Sequence, residues 1–125
     1  MPVAWGQMDA FGHVNNLVYF RFFEDARIAC FRRIGIGLNI KQTRVGPILA
    51  RTSCVFRRPL TYPDTVTAGA RIEDVGVDRF TMIYAVFSER VGLAAHGDGR
   101  IVVIDYTTGE KAPIPEAIRE GIASL

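Results

Sequence analysis

The sequence predicts an α+β fold in which one long, buried helix is wrapped by a curved antiparallel sheet. A largely apolar helical pattern fills the segment from Asn16 to Ile34. Strand-like alternation of apolar and polar residues then dominates the middle of the chain. Short turns separate successive strands, which favours antiparallel pairing. The chain has 125 residues without repeats or linkers, so we expect one domain, residues 1–125.

The predicted helix has an unusually wide apolar arc. Its charged side chains fall on a single narrow stripe: Arg21, Glu24, Asp25 and Arg32. Five aromatic residues lie on the arc: Tyr19, Phe20, Phe22, Phe23 and Phe31. Asn15 or Asn16 suits the N-cap, and Gly35 ends the helix. Since the sequence supplies no second long helix to form a bundle, we expect a sheet to surround this one.

Four strands are predicted, and the patterns end in a short helix. The strands are Ile48–Phe56, Val66–Ile72, Phe80–Phe87 and a long run to about Tyr106, of which Arg100–Ile104 is the most strand-like part. Alternation places Ile48, Ala50, Thr52, Cys54 and Phe56 on one face, and Phe80, Met82, Tyr84 and Val86 on another. Gly97 and Gly99 are interpreted as marks of a bulge or sharp curvature.

The two ends of the chain are predicted to be short elements. Pro115 suits the first position of a terminal helix over Glu116–Ile122. Met1–Trp5 is too short for a full strand, although it lies where an edge strand would lead into the long helix. We therefore expect a truncated first strand and a weakened edge there.

Composition excludes several classes of protein. Hydrophobic residues make up 49% and charged residues 22%, which is typical of a folded globular chain. Fifteen basic against thirteen acidic residues give a net charge of +2, too balanced for a dedicated nucleic-acid binder. No apolar run approaches the ~20 residues of a membrane span, and the N-terminus has no leader pattern, so we expect a cytoplasmic protein. Cys30 and Cys54 form no metal-ligand pattern with the two histidines and are interpreted as small apolar residues.

The strongest chemical signal lies between Trp5 and Tyr19. Asp9 comes shortly before the predicted helix start, among apolar residues. Gly12 permits a tight turn, and the helix start near Asn16 offers free N–H groups with about half a positive charge. A carboxylate beside a helix N-terminus suits hydrolysis, because the carboxylate can attack or activate water while an N–H receives the oxyanion.

These residues resemble a known family. The string Asp-Ala-Phe-Gly-His-Val-Asn-Asn-x-x-Tyr from Asp9, followed by Phe23–Arg27, resembles the hot-dog-fold acyl-CoA thioesterases of the 4-hydroxybenzoyl-CoA thioesterase type. The similarity extends to Arg57-Arg58-Pro59-Leu60-x-Tyr62-x-Asp64 and to Ala94–Asp105, and so covers nearly the whole chain. Many relatives carry an additional Asp where this chain has Gln7.

The resemblance implies an activity and a set of site residues. It implies hydrolysis of an acyl- or aryl-CoA thioester to free acid and CoA, with Asp9 as nucleophile or general base and the backbone N–H of Asn16 polarising the carbonyl. We expect no metal and no cofactor beyond the coenzyme A of the substrate. It further implies a homodimer, with a dimer of dimers as the larger alternative, and sites between protomers.

The remaining candidates have simpler alternative roles. His13 either fixes the turn or contacts the thioester or catalytic water, and Gly12 and Tyr19 are candidate substrate contacts, although Tyr19 also suits the core. Glu24 is expected on the polar stripe, paired with Arg21 or Arg27. Arg57 and Arg58 either hold the phosphates of coenzyme A or are solvated edge residues.

Two other functions stay open at this level. One is a hydratase or dehydratase acting on hydroxyacyl or enoyl thioesters, since Asp9 and His13 superficially offer an Asp/His pair. The other is a non-catalytic protein that binds acyl-CoA or an acyl carrier. Hydration of crotonyl-CoA without thiol release identifies the first, and tight binding without turnover identifies the second.

Overall fold

A computed structural model of the protein describes residues 1–37 and 44–125. The long helix α1 spans Asn16–Arg33 and is followed by four strands: β1 Val45–Phe56, β2 Val66–Glu73, β3 Arg79–Ser88 and β4 Gly92–Asp105. A short helix, α2, spans Glu116–Ala123. All neighbouring strands are antiparallel, in the order β1-β4-β3-β2. One long helix against a curved antiparallel sheet confirms the predicted fold class.

The core lies between α1 and the inner face of the sheet. Every second residue of β3 is buried from Phe80 to Val86, as the alternation predicts. The Phe23 ring of α1 stacks on the Tyr84 ring of β3, with their centroids 4.8 Å apart. Burial of these large aromatic side chains supplies the apolar driving force that holds the helix on the sheet.

The two glycines of β4 leave room for neighbouring groups, Gly97 for a ring of α1 and Gly99 for a ring of β3. A Cβ at Gly97 would lie 2.0 Å from the Ser53 carbonyl oxygen and 2.8 Å from the Phe23 ring. A Cβ at Gly99 would lie 2.7 Å from the Tyr84 hydroxyl. Both glycines are paired in register with both neighbouring strands. Neither glycine is a bulge, so that part of the interpretation is wrong, while sharp curvature stays a prediction. Both glycines leave room for aromatic rings, and Gly97 also leaves room for a neighbouring carbonyl.

The bulges occur elsewhere, and one changes the predicted face of β1. The register between β1 and β4 shifts between Leu49 and Arg51. Because one inserted residue reverses the alternation, Ile48 lies on the opposite face from Cys54, contrary to the prediction. Ile48 pairs with Val102, on the outer face of the sheet, whereas Cys54 pairs with Gly97, on the inner face.

Both chain ends pack against other elements of the fold. Met1 exchanges two backbone hydrogen bonds with Val66, of 2.7 and 2.8 Å, and the Val3 N–H donates to the Asp64 carbonyl. This short pairing occupies only the beginning of β2. At the other end Pro115, predicted at the first helical position, is instead the N-cap of α2, which begins at Glu116. A Cβ at Gly121 would lie 2.3 Å from the Ile34 carbonyl oxygen, so glycine permits α2 to sit against the end of α1.

Candidate active site

Asp9 is held by the tight loop that leads into α1. The Asp9 N–H donates to the His13 carbonyl at 2.7 Å, and the Gly12 N–H donates to the Asp9 carbonyl at 3.2 Å. Gly12 has a φ of 78°, a left-handed conformation that glycine adopts without a steric penalty. One carboxylate oxygen of Asp9, Oδ1, accepts from the N–H of Phe11 at 2.8 Å and of His13 at 3.3 Å. Within residues 1–37 and 44–125, no donor bonds the other oxygen, Oδ2.

The start of α1 offers an open donor beside this loop. Asn15 is the N-cap, and its side chain accepts from the Leu17 N–H at 3.0 Å. The Val18 N–H donates to the Asn15 carbonyl at 2.9 Å. The Asn16 N–H has no acceptor among the described residues. Because the helix dipole adds positive charge at this end, the Asn16 N–H is suited to bind an oxyanion.

A cleft of about 210 Å³ joins these groups to the loop after β1. It is lined by Asp9, His13, Asn16, Tyr19, Arg57 and Arg58, together with Val14, Phe56 and Pro59. All the predicted site residues except Gly12 therefore line one cleft. Gly12 shapes the loop behind Asp9 instead.

Tyr19 both lines the cleft and packs in the core. Its side chain is buried, and its hydroxyl accepts from the Leu60 N–H at 3.2 Å. Burial raises the pKa of Tyr19 above its usual value, although the bond from Leu60 opposes that rise. Its ring meets that of Phe56 edge-on, with 4.9 Å between centroids. A neutral phenol therefore anchors the loop after β1 against the helix.

Arg57 and Arg58 form the basic rim of the cleft. Both backbone N–H groups donate to the Ala94 carbonyl, at 2.8 and 3.0 Å. The Arg57 Nε donates to His96 Nε2 at 2.8 Å, and the Arg58 side chain donates to the Val91 carbonyl at 3.3 Å. In the described part of the chain neither guanidinium lies within 4.0 Å of a carboxylate. Their charge is thus available to an anion at the mouth of the cleft.

The sequence motifs miss His96, which the structure places beside Arg57. His96 lies inside β4, where it pairs with Val55 and Ala85. A prediction of how β1 pairs with β4 would have placed His96 close to the end of β1. Phe56 also lines the cleft and Phe20 lines a neighbouring hollow, whereas Phe22, Phe23 and Met82 are buried in the core.

The ion pair expected for Glu24 is not found. Arg21 pairs with Asp25 instead, at 3.6 Å, and the Arg27 guanidinium donates at 3.1 Å to the hydroxyl of Tyr84. Across residues 1–37 and 44–125, no cation lies within 4.0 Å of Glu24. The expectation that Glu24 pairs with Arg21 or Arg27 is therefore wrong, because both arginines have other partners.

The described residues were also considered as metal ligands and as membrane-spanning helices. They contain no group of three or more His, Cys, Asp or Glu side chains that could hold a metal ion. They also include no helix long and apolar enough to cross a membrane.

The two cysteines are free thiols, of which Cys30 is buried and Cys54 half-buried. Burial raises the pKa of the Cys54 thiol to about 11.

Comparison with known proteins places the chain in a family. The model of the thioesterase-like superfamily matches residues 3–122. The structure of a Thermus thermophilus thioesterase complexed with coenzyme A and Zn is 33% identical, covers 98% of this chain and 93% of that one, and has a TM-score of 0.83. A curated Aquifex aeolicus (strain VF5) relative, whose name provisionally assigns it as an esterase, is 28% identical over 119 residues, 94% of this chain and 91% of its own length.

A more distant structure shares the fold alone. The 1,4-dihydroxy-2-naphthoyl-CoA thioesterase of Synechocystis is 20% identical, covers 100% of this chain and 93% of that one, and has a TM-score of 0.89. The hot-dog fold implied by the resemblance is confirmed. With nearly its whole length matched by the family model, this chain belongs to the thioesterase-like superfamily.

Proposed function

We propose that the protein hydrolyses an acyl-CoA thioester to the free acid and coenzyme A, with Asp9 and the Asn16 N–H as its reacting groups. The observation that carries the proposal is their meeting in one cleft: a carboxylate with a free oxygen, and a helix-start N–H without an acceptor. Membership of the thioesterase-like superfamily supports the reaction class.

The proposed chemistry divides between these two groups. In one route the Asp9 carboxylate attacks the thioester carbonyl, the C–S bond breaks with coenzyme A leaving as the thiolate, and water then hydrolyses the acyl–Asp9 anhydride to release the acid. In the other route Asp9 removes a proton from water, the water oxygen attacks the carbonyl, and the expelled thiolate takes up that proton. In either route negative charge develops on the carbonyl oxygen, and the Asn16 N–H stabilises it. One such donor contributes about 10²–10³ in rate. His13 lines the same cleft and is proposed to contact the thioester or the catalytic water. The proposed reaction uses no metal or redox cofactor.

The basic rim indicates which end of the substrate lies at the mouth of the cleft. Guanidinium groups bind phosphate oxygens in bidentate fashion. We place the phosphates of coenzyme A at Arg57 and Arg58, which line the cleft and are free of carboxylate partners within the described ranges. The acyl group then extends from Asn16 away from this rim, along α1.

The free edge of β1 supports a homodimer. Of the described strands, only β4 pairs with this 12-residue strand, and Val55 and Phe56 are each 44% exposed on it. A long edge that exposes apolar side chains is a template for pairing with another strand. Leu17 of α1 is also 74% exposed beside this edge. We propose that two copies pair through β1, so that each covers the other's cleft.

The test of the reaction is thiol release from short, long and aromatic acyl-CoAs by the wild type and Asp9→Asn. The substitution preserves an oxygen that can accept from Phe11 and His13, so the loop is retained while the charge is lost. We expect kcat to fall by at least about 100-fold. Asp74→Asn is the matched control, because Asp74 has a φ of 52°, which asparagine tolerates.

Other outcomes point to the alternatives. Wild-type rates in Asp9→Asn would exclude the proposed mechanism. Loss of enoyl absorbance from crotonyl-CoA without thiol release indicates a hydratase, and tight binding without any turnover indicates an acyl-CoA binding protein.

The dimer has a separate test in light scattering coupled to size exclusion. We expect Val55→Lys to produce monomers and reduce thiol release, since it introduces a charge at the proposed interface. Val77→Lys is the control, because Val77 is 70% exposed in the turn between β2 and β3. A wild-type protein that elutes as a monomer refutes the dimer.

A further inference from the structure

Arg57 lies between the cleft and the outer face of the sheet. It follows directly after β1 and lines the cleft, but its Nε donates at 2.8 Å to Nε2 of His96, which does not line the cleft. His96 belongs to β4, opposite Val55 and Ala85. It lines a separate hollow of about 550 Å³ on the outer face. One side chain of the basic rim is therefore held from outside the cleft.

The hydrogen bond defines which ring nitrogen of His96 carries the proton. A guanidinium only donates hydrogen bonds, so Nε2 of His96 accepts with its lone pair. The imidazole in this bond is thus neutral and carries its proton on Nδ1. Across residues 1–37 and 44–125, no carboxylate lies within 4.0 Å of His96. Asp98, two residues along β4, accepts from the Ser53 hydroxyl at 2.8 Å instead.

The bond to His96 leaves most of the Arg57 guanidinium free. Its Nη1 and Nη2 atoms carry the other N–H groups, and none of these has an acceptor within the described ranges. The edge formed by these two nitrogens matches two oxygens of a phosphate. Because Nε is already bonded, less side-chain freedom is lost when a phosphate binds. Arg57 is therefore ordered before binding, with one bidentate edge unoccupied.

Arg58 has no comparable support. Its Nη1 donates to the Val91 carbonyl at 3.3 Å, so the one bond it makes occupies an atom of the phosphate-binding edge itself. The two arginines of the basic rim thus differ, and only Arg57 has its guanidinium fixed through Nε.

We propose that His96 is a positioning residue for the phosphates of coenzyme A, an inference that rests on the proposed thioesterase function. The neutral imidazole holds Arg57 in the orientation that binds a phosphate. His96 itself touches neither the phosphates nor the thioester. It should therefore affect the affinity for the coenzyme A part of the substrate and leave the chemical step unchanged.

The first test is calorimetric binding of free coenzyme A to the wild type, His96→Leu and His96→Gln. Leucine cannot accept from Arg57, whereas the amide oxygen of glutamine can. We expect Kd to rise by about 5-fold in His96→Leu, the scale of ordering one long side chain, and to return to within about twofold of the wild type in His96→Gln. Leu93→Ala is the control and should bind as the wild type does, because Leu93 lines the same hollow but offers Arg57 no acceptor.

A double-mutant cycle assigns the effect to Arg57. In an Arg57→Met background, His96→Leu should change the Kd for coenzyme A by less than about twofold, because no guanidinium remains to be positioned. An equal loss in both backgrounds refutes the positioning role. Thermal unfolding of each variant separates loss of binding from loss of folding.

Kinetics separate substrate binding from the chemical step. With octanoyl-CoA and benzoyl-CoA, His96→Leu should raise KM by about 5-fold and leave kcat unchanged. Octanoyl- and benzoyl-pantetheine carry the same thioesters without the phosphates, so their hydrolysis should be the same in His96→Leu and the wild type. A fall in kcat, or an equal effect on the pantetheine thioesters, indicates a structural role and overturns the proposal.

The protonation state has a spectroscopic test. NMR of the ring nitrogens at neutral pH should show a proton on Nδ1 of His96 and none on Nε2. The signals are assigned by their loss in His96→Gln, since His13 is the only other histidine. A proton on Nε2 of the wild type excludes the bond from Arg57 and with it the proposal.

The calorimetric outcomes distinguish the two proposals. If coenzyme A binds equally to the wild type and His96→Leu, or if glutamine does not restore the affinity, the role of His96 is refuted while the thioesterase stands. If no thioester releases thiol, the thioesterase is refuted, and binding of free coenzyme A decides on His96 independently. A wild type that does not bind coenzyme A overturns the role of His96.

Discussion

Replacement of Gly97 by alanine tests how closely α1 lies on the sheet. The added methyl group would stand 2.0 Å from the Ser53 carbonyl oxygen and 2.8 Å from the Phe23 ring. The first neighbour is backbone, so β1 and β4 must separate locally before the methyl fits. Overpacking of this kind costs about 1–3 kcal/mol, and the intrinsic advantage of alanine over glycine returns only about 0.5–1 kcal/mol. The net loss of about 1 kcal/mol corresponds to a fall of roughly 3–6 °C in Tm at this chain length.

Gly69 provides the matched control for this measurement. It is also a strand glycine, in β2, but a Cβ there would meet nothing within 4 Å. Gly69→Ala should therefore be neutral or slightly stabilising. The assay is thermal unfolding followed by circular dichroism, with urea unfolding as a second measure of the free energy. Equal stabilities of Gly97→Ala and Gly69→Ala would refute the close approach.

Three further predictions concern single side chains. Tyr19→Phe removes the acceptor of the buried Leu60 N–H and should reduce the free energy of unfolding by about 1–2 kcal/mol in urea; an unchanged midpoint contradicts this role. Ser88→Ala removes an Oγ that donates to Asp64 and accepts from the N–H groups of Arg90 and Val91 at 3.0 and 3.1 Å, so amide exchange in the β3–β4 turn should accelerate by about 10-fold or more. Burial raises the pKa of Cys54 from 9.0 to about 11. Alkylation of this thiol at pH 8, followed by mass spectrometry, should therefore be about 100-fold slower than for an unperturbed thiol. The stability that the neutral thiol contributes should be lost as the pH rises from 9 toward 11.

The sequence predicts those parts of the fold that depend on local periodicity. The apolar arc of α1 and the alternation of β3 specify which faces are buried, and both are confirmed. The predicted face of Ile48 is wrong, because the bulge after Leu49 depends on pairing with a strand some fifty residues away. Gly97 is misinterpreted for the same reason. Its neighbours, Phe23 and Ser53, are distant in sequence, and only the folded chain shows why a side chain cannot fit.

The candidate site, too, is predictable only where its residues are close together in the sequence. Asp9, His13 and Asn16 lie within eight residues, so a loop and a helix start are enough to bring them together. The basic rim joins them through backbone contacts. The Val14 N–H donates to the Leu60 carbonyl at 2.9 Å, and the Leu60 N–H donates to Tyr19. Backbone groups carry no side-chain signature, so the sequence suggests a phosphate role for Arg57 and Arg58 without showing that they border the cleft.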